Sequence, residues 1–292
     1  MMVRSRDRAV DLHAPVVMGV LNVTPDSFSD GGAYATVDGA LDHARVMIEQ
    51  GAVIVDVGPE STRPGSQPVP SDEQIARAVP VIRAIRAACG DIVLSIDTRS
   101  AAVARAALEA GADMVNDVSA LRDDEEMVDV VAESSAAVVL MHRRGTAADM
   151  QRGGGPRYGD VVEEITRFLR ERVDWTVARG VERSRIVIDP GIGFGKRVEH
   201  NLQILRDVER LAAIGPPVLI GASRKAFIGN VSGVTDPKRR DAASAASAAI
   251  AVLGGAAIVR AHDVSSTVDA VRVAAAVRAA GAGVMRCEPT RR

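Results

Sequence analysis

Eight short apolar runs recur along the chain, and each gives way to a polar residue. VVMGVL is followed by Asn22, VIVD ends at Asp56, and VLSID ends at Asp97. DMV is followed by Asn116 and Asp117, AVVLMH ends at His142, and IVID ends at Asp189. The run ahead of Gly221 leads into Ser223, Arg224 and Lys225, and AAIV leads into Arg260 and His262. Runs of this length, rich in Val, Ile and Leu, suit strands buried on both faces of a parallel sheet.

Between the runs the apolar period lengthens to that of a helix. Val37, Leu41, Ala44 and Ile48 share one face of a helix predicted over Val37 to Gln50. Ile75, Val79, Ile82 and Ile85 do the same over Asp72 to Ala88. Further helices are predicted over Ser100 to Ala110, Asp124 to Ser134, Tyr158 to Arg179, His200 to Ile214, Arg240 to Leu253 and Ser265 to Ala279. Gly51, Gly111, Gly180 and Gly215 sit just past helix ends, where a left-handed backbone costs glycine little, and Asp72 and Ser100 are candidate N-caps. Strand and helix thus alternate eight times. The α/β fold that puts its chemistry at the carboxyl ends of eight parallel strands is the (β/α)8 TIM barrel. A doubly wound open sheet is the competitor, but it normally has five or six strands and one switch point.

The 292 residues fit a single barrel domain spanning 1–292. Its core runs from about 15 to 280, behind a short N-terminal segment and ahead of a tail expected to be disordered from about Ala282. A net charge of −2 suggests no nucleic-acid or membrane surface, and 2% aromatic residues leave little for base stacking. Cys89 and Cys287 lie far apart, so no disulfide framework is indicated and a cytoplasmic setting fits. The first fifteen residues carry charges without an apolar core, unlike a signal peptide. Ala242 to Val259 is 18 residues without a charge, near the length of a membrane span. Its Ala, Ser and paired Gly residues read instead as a buried helix, a turn and a strand, with side chains small enough for a subunit interface.

Several clusters bear chemistry. In NVTPDSFSDGG, Asn22 offers an amide oxygen directly after a strand, able either to hold a hard cation such as Mg2+ or simply to close a turn. In ESTRPG, Arg63 beside hydroxyls can hold a phosphate, within a long Pro-rich loop of the kind that covers active sites. Asp56, Asp97, Asn116 and Asp189 project from four strand ends into one pocket. Each could cap a helix; together they can read a flat heterocycle bearing amino and amide N–H groups. DPGIGFGK lets backbone approach a ligand but matches neither a P-loop nor GxGxxG. Ser223, Arg224, Lys225, Arg260 and His262 follow the seventh and eighth strands, where barrels frequently bind phosphate.

Taken together, MGVLNVTPDSFSDGG, DVGPESTRPG, SIDT, NDVSA, DPGIGFGK, SRK and VRAHDV resemble the dihydropteroate synthases of the pterin-binding family, in order from about Met18 to Val264. The resemblance implies condensation of a dihydropterin-CH2-diphosphate with p-aminobenzoate, releasing diphosphate and 7,8-dihydropteroate. It implies Asn22 at Mg2+ and diphosphate, with Thr62, Arg63, Arg260 and His262 also at the diphosphate. It implies Asp56, Asp97, Asn116, Asp189 and Lys225 at the pterin, and Phe28, Thr62, Pro64, Phe194 and Ser223 near p-aminobenzoate. Asp97, Arg63 and Lys225 would carry catalysis, Lys225 as a binding donor rather than a covalent nucleophile. A cytoplasmic homodimer open to sulfonamides is implied too. Three departures stand out: Pro59 where Gly is common, Arg143-Arg144 where Met-Gln is common, and Ala261 where Val is usual. None removes a proposed ligand. A pterin-binding methyltransferase would have no diphosphate to hold, which the SRK, RAHD and ESTRPG clusters oppose. A non-catalytic paralogue would be expected to lack Asn22, Asp97, Lys225 or Arg260.

Overall fold

The computed structural model describes residues 2–5, 8–24, 36–61, 66–145 and 156–281. Phe28, Thr62, Arg63, Pro64 and the tail expected from Ala282 lie outside these residues.

The eight apolar runs form one parallel sheet. Its strands are β3 (Val16–Asn22), β4 (Ile54–Gly58), β5 (Val93–Asp97), β6 (Met114–Asp117), β7 (Ala137–Met141), β8 (Ile186–Asp189), β9 (Leu219–Ile220) and β10 (Ile258–Ala261). They lie in the order β8-β7-β6-β5-β4-β3-β10-β9. The two edges meet at a parallel bridge between Ile188 and Val218, where the Ile188 N–H donates to Pro217 O at 2.9 Å. The sheet therefore curls almost to closure, as the predicted barrel requires.

Helices cover its outside: α1 (Val37–Glu49), α2 (Ser71–Cys89), α3 (Ala101–Glu109), α4 (Met127–Ser134), α5 (Val161–Ala178), α6 (Val198–Arg206), α7 (Val208–Ala212), α8 (Ala226–Ser232), α9 (Asp241–Leu253) and α10 (Val264–Gly281). The helix expected over His200 to Ile214 is two, because the backbone at Asp207 leaves the α region (φ −109°, ψ 30°). The short α8 was not foreseen. Gly51, Gly111, Gly180 and Gly215 all have positive φ, as their positions past helix ends predict. Asp72 lies within the first turn of α2, behind Pro70 at the N-cap. Ser100 does occupy the N-cap of α3 but makes no capping bond; Asp124 Oδ2 instead accepts the Ala101 N–H at 2.7 Å. The charge-free stretch is α9, a turn and β10, and no helix among the described residues is long and apolar enough to cross a membrane.

An antiparallel hairpin, β1 (Met2–Ser5) with β2 (Arg8–Asp11), precedes the barrel and was not anticipated. It closes the amino-terminal end of the sheet. Val3, Val10 and Leu12 pack on Met18, Ile54, Val93, Met114, Val187, Leu219 and Ile258, the inward residues of the strands' lower halves. The outward residues join the larger core beneath the helices. The hairpin is also tied down by charge. Asp113, 1% exposed, accepts from Arg8 Nη1 at 3.0 Å and from the Leu94 N–H at 2.9 Å, and pairs with Arg86. Ser5 Oγ donates to Asp113 O. Removing this carboxylate takes the ion-pair partner from two guanidinium groups, which keep only backbone carbonyls, and leaves the buried Leu94 N–H without its acceptor. Asp113→Ala is therefore expected to lower unfolding free energy by about 2–4 kcal/mol, measured by urea titration; a change below about 0.5 kcal/mol would show that the network is dispensable.

Candidate active site

Period two along the strands assigns the rim. In β4, Ile54 faces the hairpin, so Asp56 also points inward; Val93 does the same for Ser95 and Asp97, and Met114 for Asn116. Val187 sets Asp189, and Ile258 sets Arg260. Asp117, one residue out of phase, faces away and accepts the backbone N–H groups of Ser119 and Leu121 at 2.7 and 2.8 Å. The register then places Asp97 beside Asn116, and Asn22 beside Gly58, at the top of the barrel.

Four of these residues form one network. Arg260 Nε donates to Asp56 Oδ2 at 2.6 Å, and its Nη2 to Asp97 Oδ2 at 2.9 Å. Asn116 Nδ2 donates to Asp56 Oδ2 at 3.0 Å. The second oxygens, Asp56 Oδ1 and Asp97 Oδ1, are buried without a hydrogen-bond partner among the described residues. Such groups are costly to leave unmet, and both can accept donors from a ligand.

Burial pushes the Asp97 carboxyl up to about 7, against the pull of Arg260 and reinforced by Asp56 and Asp117. It pushes Asp189 up to about 6, opposed by the Gly191 N–H and by Lys225; Asp189 Oδ1 accepts that N–H at 2.7 Å. Burial works against the Arg260 charge as well, but Asp56 and Asp97 more than offset it and its pKa is raised.

The remaining rim residues come from β8, β9 and β10. Lys225 opens α8 and lays its Nζ 4.0 Å above the centre of the Phe194 ring. Ser223 Oγ and His262 Nδ1 lie 3.0 Å apart, and Ser223 Oγ accepts the His262 N–H at 3.1 Å. Arg224 does not join them: its guanidinium is forked onto Asp241 at 2.7 and 2.9 Å. Its left-handed backbone (φ 58°) separates the directions of Ser223 and Lys225. Arg143 pairs with Asp123, and Arg144 bonds Glu164 at 2.7 Å while stacking on Tyr158, so both depart from the family pattern without entering the rim network. Pro59 presents its carbonyl to Arg77 at 2.9 Å.

Three contributors went unassigned in the sequence. Glu60 accepts the Val69 N–H at 2.9 Å and Arg99 Nη2 at 3.0 Å, joining the two sides of the second loop. Ser95 lies below Asp97 with its hydroxyl buried and unpaired. Lys196 is buried beneath Phe194. Only Ser95 had a usable signal, its two-residue offset from Asp97; the partners of the others are remote in sequence.

This rim belongs to a recognisable class of barrel. A family model described as "Pterin binding enzyme" matches residues 18–262. The Mycobacterium leprae dihydropteroate synthase is 46% identical over 94% of this chain and 99% of its own length. The Xanthomonas albilineans dihydropteroate synthase, solved with 4-aminobenzoic acid, superposes with a TM-score of 0.87 at 45% identity, covering 95% of this chain and 98% of that one. The Yersinia pestis enzyme in a sulfonamide drug complex gives 0.89 at 41% identity, over 96% and 100%. The chain belongs to the dihydropteroate synthase family.

The raised carboxylates have a consequence for stability. A group whose pKa is higher folded than unfolded stabilises the fold below its unfolded value and loses that contribution as pH rises through its folded value. For Asp189 the window runs from about 4 to about 6. Asp189→Asn, which keeps an acceptor for the Gly191 N–H, is expected to be more stable than wild type at pH 8 by up to about 3 kcal/mol and to lose that advantage by pH 4. Parallel melting curves across this range test it; a gap independent of pH would contradict it.

Proposed function

We propose that this chain is a dihydropteroate synthase, condensing a dihydropterin-CH2-diphosphate with p-aminobenzoate. The observation that carries the reading is the buried Asp56–Arg260–Asp97–Asn116 network with its two unmet carboxylate oxygens. An aminopyrimidinone edge presents neighbouring N–H donors, and a pair of fixed acceptors matches them. Asp189 and Lys225 complete the pterin pocket. Arg260 and His262 receive the diphosphate, joined by Thr62 and Arg63. Phe194 and Ser223 border p-aminobenzoate, with Phe28 and Pro64.

The CH2–O bond breaks with its electron pair leaving on diphosphate, and the resulting cation is delocalised into the pterin. The neutral aromatic amine then bonds to the CH2 and afterwards releases a proton to solvent or diphosphate. In its ionised form Asp97, buried at the strand end, would stabilise the growing positive charge, while Arg260 and His262 take up the negative charge of the leaving group. An aromatic amine is already neutral at pH 7, so no strong general base is needed.

Asn22 fits a Mg2+ ion in part. Its amide oxygen lies on the rim, 3.3 Å from where a Cβ on Gly58 would stand, and is the hard oxygen ligand that Mg2+ prefers. No group of three His, Cys, Asp or Glu suited to a metal occurs among the described residues, so the other ligands would be diphosphate oxygens and water. When bound, the ion would supply charge neutralisation to the leaving diphosphate.

The test is diphosphate release by the purified chain, dependent on both substrates. Asp97→Asn is expected to lower turnover about 100-fold or more, with diphosphate binding largely retained. Near-wild-type turnover would remove Asp97 from the chemistry.

We also read the chain as a sulfonamide-sensitive cytoplasmic homodimer. α9 and α10 pack together and expose Ile250, Leu253, Val273 and Val277, an apolar face suited to a second copy. Sedimentation should give twice the 30.6 kDa chain mass; a monomer at assay concentration would refute the dimer.

A further inference from the structure

Lys196 is a buried lysine for which the proposed reaction has no direct use. It is 3% exposed, and among the described residues no carboxylate bonds to it. Its Nζ meets three acceptors: His142 Nδ1 at 3.0 Å, His142 O at 3.2 Å and Phe194 O at 3.0 Å. An ammonium has three N–H donors, so this set saturates it and requires His142 Nδ1 to carry no proton. Burial, reinforced by Lys196 and Arg144, pushes the imidazole down to about 2, which keeps it neutral as that role demands.

The bonds fasten one turn to one strand end. His142 ends the fifth apolar run at the top of β7; Phe194 lies in the turn Gly191–Lys196 that follows β8. Backbone contacts show how closely the two are pressed together. A Cβ on Gly191 (φ 70°) would stand 1.9 Å from His142 O, and one on Gly195 (φ 62°) 2.1 Å from Arg144 O. Tyr158 Oη donates to Gly195 O at 3.0 Å, and the Gly193 N–H donates to Asn201 Oδ1 at 2.8 Å. What the turn presents to the rim is the Phe194 ring, with Lys225 Nζ 4.0 Å above it. The Lys225 stem crosses Gly193, its Cδ 3.1 Å from where a Cβ there would be.

We propose that Lys196 is a positioning residue for the amine substrate: by gripping His142 and the Phe194 carbonyl, it sets the Phe194 ring that borders p-aminobenzoate. An apolar side chain could fill the same space without the cost of burying a charge. Only the ammonium form of Lys196 donates to all three acceptors at once, orienting the carbonyl of the residue whose ring forms the platform; burial pulls its pKa down to about 7, against the attraction of Asp189. This rests on the dihydropteroate synthase reading, and it adds a residue that acts on the reaction without touching substrate.

Steady-state kinetics of Lys196→Met with each substrate varied in turn provide the test. KM for p-aminobenzoate should rise roughly tenfold to a hundredfold, the cost of a displaced binding surface, while KM for the diphosphate pterin changes less than about threefold. Lys196→Gln, which keeps two N–H donors for the carbonyls, should fall between wild type and Met. Unchanged p-aminobenzoate KM, or equal losses for both substrates, would overturn the proposal while leaving the functional reading intact. A wild-type chain that forms no dihydropteroate would overturn both. Thermal melts accompany the kinetics: if Met prevents folding, Gln carries the same comparison. Loss of a cooperative melt in both would make Lys196 a determinant of the fold and overturn its positioning role.

Discussion

One guanidinium between two buried carboxylates organises the mouth of this barrel. Arg260 reaches from the last strand to Asp56 and Asp97 on the second and third barrel strands, so three elements far apart in sequence are tied at the point where a ligand must enter. Two like charges without a cation between them would be strongly disfavoured in such a site. Arg260 allows both carboxylates to persist at the base of the pocket, yet it engages only one oxygen of each. The other two oxygens have no partner among the described residues, and burial pushes the Asp97 pKa up to about 7. Stability given up there becomes recognition when suitable N–H donors arrive.

That arrangement depends on how the barrel divides its interior. Alternation sends every second residue inward, and the lower inward positions are apolar. The N-terminal hairpin covers them with Val3, Val10 and Leu12, so the closed end is dry and packed. The same inward phase at the upper end delivers Asp56, Asp97, Asn116, Asp189 and Arg260. The outer helices contribute little chemistry; they bury the outward phase and hold the strands in register. Around the rim, ion pairs remove unneeded charge, as Asp241 does for Arg224 and Glu164 for Arg144.

Much of this was readable from local pattern. Apolar runs ending in polar residues mark barrel strands, and their phase selects which polar residues share the pocket. Phase also separates Asn116 from Asp117, although the two are adjacent and chemically similar. It says nothing about residues whose partners arrive from another part of the chain. Arg224 looked like a rim cation because it lies between Ser223 and Lys225, but a left-handed backbone turns it toward α9. Lys196 looked like the end of a glycine-rich loop, and Glu60 like part of a Pro-rich one.

Composition and periodicity were sufficient for the eight-fold alternation, the inward carboxylates and a cationic seventh and eighth strand end, because each depends on neighbours within a few residues. The pairing of Arg260 with Asp56 and Asp97, the burial of Lys196 against His142, and the hairpin plug tied to Asp113 emerged only in three dimensions. Each joins groups from separate elements, and its energy comes from desolvation and hydrogen-bond geometry that exist only once the barrel has closed.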